Sequence, residues 1–158
     1  MTDQTQQSSK DFNLTSFFPY LVRIYYKAVS SSVSDLYGSL FGLSVSEWRT
    51  MAVLGPHGIL SASEIVERSS MDKVNVSRAI KKLQKTGYLK RDVDGDDKRK
   101  AVLRLTEEGE KVYLALIPMV MELEQDLLDG LSEKEVEQLK SLMEKVRLNA
   151  EALGNISR

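Results

Sequence analysis

The feature that most narrows what this chain can fold into is a change of hydrophobic period at Gly87. Upstream of it, from Ser44, apolar residues recur at helical spacing in three short consecutive segments; downstream the spacing drops to two. The helices are expected at 44–55, 61–69 and 72–86. The first two open with Ser44-Val45-Ser46-Glu47 and Ser61-Ala62-Ser63-Glu64. This is the S-x-x-E pattern of a capping box, in which the serine hydroxyl accepts from the N3 amide and the glutamate reaches back to the N-cap amide. Asp72 reads as a simpler N-cap for the third helix. Gly87 then ends it, because glycine enters a left-handed turn at little cost. Tyr88 to Asp92 and Lys100 to Leu105 read as short strands, with Ala101, Leu103 and Leu105 alternating against Lys100, Val102 and Arg104. Asp94-Gly95 between them is a strong hairpin dipeptide.

The flanks are helical. From Phe12 to Tyr37 the residues Leu14, Phe17, Phe18, Leu21, Ile24, Tyr25, Val29, Val33 and Leu36 keep helical spacing, and Gly38 and Gly42 are expected to break the helix. Thr106 is an N-cap candidate, and Ser132-Glu133-Lys134-Glu135 is a third capping box, so two further helices are expected at 106–130 and 132–153. Pro118 should bend the first of these, since it cannot donate to the Leu114 carbonyl. The resulting order is four helices, a hairpin and two helices: a mainly α fold with a small β-hairpin wing, the outline of a winged helix-turn-helix. The expected organisation is a disordered tail at 1–10, an N-terminal helix at 11–42, the winged domain at 43–105 and C-terminal helices at 106–158.

Several function classes drop out. There is no cysteine, which removes disulfides, thiolate zinc sites and thiol redox sensing. His57 is the single histidine, so a histidine-rich metal site is not expected. Asp92-Val93-Asp94-Gly95-Asp96-Asp97 invites a calcium reading, but an EF-hand begun at Asp92 would need Gly and Glu where Asp97 and Leu103 stand. There is no Gly-rich phosphate loop, no G-x-S-x-G and no nucleophile with a plausible histidine partner. No enzyme activity, cofactor or metal is therefore expected. The N-terminal residues lack the apolar stretch of a signal peptide. The longest apolar run, Val112 to Met121, contains Pro118 and is about half the roughly 20 residues of a bilayer span. The expectation is a cytoplasmic protein without a membrane partner.

The net charge of −1 says nothing about a polyanionic partner, but its distribution does. Residues 73–100 hold ten Lys/Arg and four Asp, while the remainder of the chain is acidic. A basic block on an acidic protein orients it toward a polyanion. In the third helix of the winged region, Val76, Ala79, Ile80 and Leu83 share one face, and Lys73, Asn75, Ser77, Arg78 and Lys81 lie on the other. Arg and Lys read guanine and Asn reads adenine in the major groove, while Ser and Lys serve phosphates. A solvated helix can carry such a face too; the basic hairpin tip Lys98-Arg99-Lys100 favours DNA.

Met71-Asp72-Lys73-Val74-Asn75-Val76-Ser77-Arg78-Ala79-Ile80, followed by Leu83, Gly87-Tyr88-Leu89 and Arg91, resembles the recognition helix and first wing strand of the MarR (multiple antibiotic resistance) regulators. Asp97-Lys98-Arg99 with Leu103-Arg104-Leu105-Thr106-Glu107-Glu108-Gly109 is similar to their wing motif, D-x-R…L-x-L-T-x-x-G. Gly42 to Met51 resembles the start of their second helix. The resemblance implies a homodimer whose base is built from the N-terminal and last two helices, flanked by two winged domains on a pseudo-palindromic double-stranded operator. Phe12, Leu14, Phe17, Phe18, Leu142, Val146, Leu148 and Leu153 fit this, since they exceed what one small winged domain can cover. Carried over by position, Arg99 would enter the minor groove, where a planar cation suits the enhanced negative potential of a narrow groove. Asp97 would orient it.

The resemblance also implies an effector crevice between dimer base and winged domain. Tyr26, Trp48, Arg49 and His57, the last expected in the turn after the 44–55 helix, are candidates to line it. An arginine and a histidine near aromatic rings suit a small anionic, aromatic or phenolic effector. Singly, each has a plainer reading: Trp48 as core, Arg49 as a surface ion pair, His57 as a turn residue. The leading function is a DNA-binding repressor relieved by that effector. The alternatives are a winged module acting through protein–protein contact, and a transcriptional activator.

Overall fold

The computed structural model describes residues 12–93 and 101–156. The expected tail at 1–10 and the hairpin tip lie outside the described residues. A 3-10 turn, Leu14–Ser16, precedes α1 (Phe18–Phe41), α2 (Val45–His57), α3 (Ala62–Ser69), α4 (Lys73–Lys85), β1 (Leu89–Val93), β2 (Ala101–Leu105), α5 (Glu107–Leu127) and α6 (Glu133–Ile156). The chain forms two compact units, Met1–Val120 and Met121–Arg158, whose boundary falls inside α5 just beyond Pro118.

All three S-x-x-E segments close as capping boxes. The Glu47 carboxylate accepts from the Ser44 amide at 3.2 Å while the Glu47 amide donates back to Ser44 Oγ at 3.4 Å. Ser61 with Glu64 and Ser132 with Glu135 repeat the exchange at the starts of α3 and α6. Each box satisfies helix-end amides that would otherwise lack partners.

Some boundaries differ from expectation. The first helix starts at Phe18, not Phe12, because Pro19 has no N–H to donate and is tolerated only in the first turn. Asn13 instead caps the short 3-10 turn by accepting from the Thr15 amide. Gly38 does not break α1; the helix runs on to Phe41 and ends at Gly42, whose φ of 64° is left-handed. The second helix passes through Pro56, so His57 is its last residue and not part of a turn. The Gly58 amide still donates to the Leu54 carbonyl at 2.7 Å, which keeps the last turn wound around the proline.

The first unit carries the core. Met51, Leu54, Ile65, Leu83, Leu103 and Leu116 are fully buried and bring α2, α3, α4, β2 and α5 onto one apolar centre. The hairpin is antiparallel with Leu89 opposite Leu105 and Arg91 opposite Leu103. Leu60, just before α3, adds a bridge that period alone did not reveal: its amide and carbonyl exchange hydrogen bonds with Leu103 at 3.1 and 2.8 Å. Thr106 ties the hairpin to α5. Its hydroxyl donates to the Gly87 carbonyl at 2.6 Å and accepts from the Gly109 amide at 3.1 Å, while its own amide donates to the Tyr88 carbonyl at 3.0 Å. A Cβ on Gly109 would stand 2.0 Å from the Tyr88 carbonyl oxygen, so only glycine fits. The T-x-x-G part of the wing motif is thus a helix start pressed against a strand start.

The second unit pairs the end of α5 with α6. Lys140 reaches Glu124 at 3.5 Å, and Arg147 is held by Glu144 and Glu151 on its own helix. None of its described residues is buried. Among the described residues no helix is long and apolar enough to cross a membrane.

Candidate nucleic-acid interface

The site is α4. Val76, Ala79, Ile80 and Leu83 are buried, and every other residue of the helix is exposed. Lys73, Asn75, Ser77, Arg78 and Lys81 are therefore all exposed on one element. The helix start is firm. Asp72 Oδ1 accepts from the Asn75 amide at 2.8 Å, and this bond holds its carboxyl below the ordinary aspartate value. The Asn75 side chain turns to the same cap, donating from Nδ2 to Asp72 Oδ2 at 2.7 Å. Sequence spacing could not show that one of the two Asn75 amide hydrogens is already engaged.

Glu47, 4% exposed on α2, pairs with Lys82 at 3.2 Å and joins the two helices by charge. A groove of about 420 Å³ runs beside α4, with Val66, Val76 and Ile80 in its lining and Lys73, Lys81 and Arg91 around them. Arg91 comes from β1 and was not among the expected site residues; it is exposed although Leu89, two residues before it in the strand, is buried, so strand alternation does not signal it. Arg104 and Asp92 pair across the hairpin at 2.5 Å. Asp97, Lys98, Arg99 and Lys100 lie outside the described residues.

The four effector candidates divide. Tyr37, 2% exposed, stacks on Trp48 with ring centroids 6.0 Å apart, and Trp48 stacks in turn on Tyr113 at 6.2 Å. Burial raises the Tyr37 hydroxyl above its ordinary value; Arg49 opposes that shift and Tyr26 adds to it. Tyr26 and Arg49 are thus each within electrostatic reach of Tyr37, which stacks on the Trp48 ring. Tyr37 and Tyr113 were missed because each reads as an ordinary core aromatic. His57 has other partners: Nδ1 lies 2.9 Å from the Val53 carbonyl and Nε2 3.0 Å from the Arg68 guanidinium. A neutral ring protonated on Nδ1 satisfies both, donating to the carbonyl and accepting from arginine. Among the described residues no group of three His, Cys, Asp or Glu stands ready to hold a metal.

Three helices with a tight turn into the last, a two-stranded hairpin and an exposed basic helix face define a winged helix-turn-helix. Comparison with known proteins gives the family. The MarR family model matches residues 41–100. YwoH of Bacillus subtilis (strain 168), an uncharacterized HTH-type transcriptional regulator, is 30% identical over 102 residues, which cover 65% of this chain and 74% of YwoH. A MarR/EmrR family transcriptional regulator from Acinetobacter sp. ADP1 superposes with a TM-score of 0.79 at 28% identity, covering 89% of this chain and 99% of that one. MepR of S. aureus, in its complex with DNA, superposes with a TM-score of 0.75 at 26% identity over 84% of this chain and 98% of MepR. The chain belongs to the MarR family of transcriptional regulators.

Proposed function

We propose that this chain is a homodimeric repressor that binds a near-palindromic DNA operator and is released by a small anionic or phenolic compound. It acts in the cytoplasm and carries out no catalysis. The observation that carries the DNA reading is α4: four buried apolar residues anchor it, a capped first turn fixes its start, and Lys73, Ser77, Arg78 and Lys81 are left exposed. MepR, of the same fold, is known as a DNA complex. Arg78 reads a base edge, with Asn75 beside it through the part of its amide that Asp72 leaves free. Lys73, Ser77 and Lys81 hold phosphates. At the wing Lys98, Arg99 and Lys100 meet the backbone and minor groove, and Asp97 orients Arg99.

The dimer reading rests on exposed apolar side chains at both chain ends. Phe17, Phe18, Leu21 and Ile24 on one side and Leu142, Val146 and Leu153 on the other are each at least 40% exposed. Residues 11–42 and 106–158 then form the dimer base, and 43–105 the DNA-binding part. The effector reading rests on Tyr37, which stacks on Trp48 and has the Arg49 cation and the Tyr26 hydroxyl within electrostatic reach. His57 belongs to it only if the ligand displaces Arg68.

Titration on a duplex selected from a random pool, at several salt concentrations, tests the DNA reading. Arg78→Ala should cost about 1–3 kcal/mol per half-site and relax base preference there. Arg99→Ala should weaken binding to all sequences evenly and flatten the salt dependence by about one unit for each phosphate it no longer neutralises. If both variants bind as the wild type does, α4 and the wing are not the interface and a protein-binding role takes its place. Reciprocal linkage requires that an effector bind more weakly when DNA is present, which calorimetry with aromatic acids reads directly.

A further inference from the structure

One of the outward side chains of α4 is not polar. Val74 is 57% exposed and is the single apolar residue among the exposed positions of the helix. At roughly 100° per residue, it lies opposite the stripe of Val76, Ala79, Ile80 and Leu83. Arg78, Lys81 and Lys85 follow it along the same outward face at four, seven and eleven residues. Helix formation does not explain a valine there. A β-branched residue is a poorer helix former than the alanine, lysine or glutamine that an exposed turn would accept. Its neighbour Asn75 is drawn toward the cap by Asp72, which leaves Val74 and Arg78 as the outward side chains of the first turns.

The cations around Val74 select a polyanionic partner, and the valine must meet something apolar on it. On the major-groove edge of a DNA base pair the apolar group is the thymine C5-methyl. We propose that Val74 is a specificity-determining residue that packs on one thymine methyl in each half-site, with Arg78 reading the neighbouring base. This rests on the reading of α4 as the major-groove helix. The pairing explains the combination of residue types: a short, stiff, branched side chain offers a methyl-sized contact with little rotamer freedom to lose.

The test uses the full-length protein and a random-sequence duplex pool. After selection, each thymine of the enriched duplex is replaced singly by deoxyuridine, which removes the methyl and keeps the base pair. One thymine per half-site should show a loss of about fourfold in affinity, the worth of roughly one buried methyl group. Val74→Ala, which circular dichroism should show to be as helical as the wild type, should bind the thymine duplex more weakly and be indifferent to that same replacement. If a duplex is enriched but no deoxyuridine replacement matters, or if the sensitive one matters equally to Val74→Ala, the role of Val74 is refuted while DNA recognition by α4 stands. If no sequence is enriched at all, recognition by α4 fails and the role of Val74 fails with it.

Discussion

Leu83 in α4 and Leu142 in α6 are leucines at helical core spacing, and they end differently: Leu83 is fully buried, Leu142 half exposed. The contrast extends to the regions around them. Between Leu43 and Leu116 fourteen apolar residues are buried, and Glu47, Thr50 and Ser69 are buried with them, each in a hydrogen bond or ion pair. Along α1, by comparison, only Tyr37 is buried, and along α6 no described residue is. Composition does not separate the two regions; the number of elements available to cover each helix does. A winged helix packs three helices, a hairpin and the start of a fourth helix around one centre. The end helices keep apolar faces that suit cover by a second copy of the chain.

The sharpest way to break the comparison is to attack the closed region where it has no slack. Gly109→Ala places a Cβ against the Tyr88 carbonyl and should destabilise the winged unit by about 3 kcal/mol in urea unfolding. A change within ~0.5 kcal/mol would mean that the helix start and the strand are free to separate.

Leu142→Ala tests the open region. As a surface change it would cost within ~0.5 kcal/mol. Covered by a second copy it should cost about 2 kcal/mol, and the melting temperature should then rise with protein concentration. Sedimentation at micromolar concentration should show a species of twice 17.8 kDa that the substitution weakens.

Glu47→Gln addresses how the closed region holds α4. The amide can still cap α2 but loses the ion pair to Lys82, which is itself 55% exposed and so partly screened. A loss of about 1 kcal/mol is expected, shrinking as salt is raised. No change at low salt would remove the pair from any role in placing α4.

The smallest effect is the pH dependence of the α4 cap. The folded Asp72 carboxyl titrates below its unfolded value because the Asn75 amide donates to the charged form. Its contribution is therefore intact above the ordinary aspartate pKa of about 3.9 and drains away as pH falls through the lower folded value. Asp72→Asn keeps a capping oxygen without the titration, so its acid unfolding should be shifted less over that range. An identical acid profile would show that the cap does not report on folding.

What could be read from residues alone follows range in sequence. The S-x-x-E boxes were legible because every atom they use lies within three residues. The stripe Val76, Ala79, Ile80 and Leu83 was legible because a helix repeats its own period. The start of α1 was misplaced because apolar spacing continues through Phe12 and Leu14, while Pro19 decides where a helix can begin. The Leu60–Leu103 bridge depends on two segments meeting, and Arg91 beside α4 depends on how the hairpin leans; no local pattern encodes either. Asn75 shows a subtler failure: its identity suggested base reading, and its hydrogen bond to Asp72 shows half of its donor capacity spent within the helix cap.

Trp48 is the chain's single tryptophan, and it is stacked between a tyrosine from α1 and another from α5. Light absorbed by the flanking phenols passes to one emitter, so the protein carries an optical gauge at the meeting point of three helices. A ligand settling against Tyr26 and Arg49, or a slight parting of α1 from α5, would alter the colour and intensity of a single emission band. A change of packing at that point can therefore be timed in the unlabelled protein, by fluorescence, on the scale of a mixing experiment.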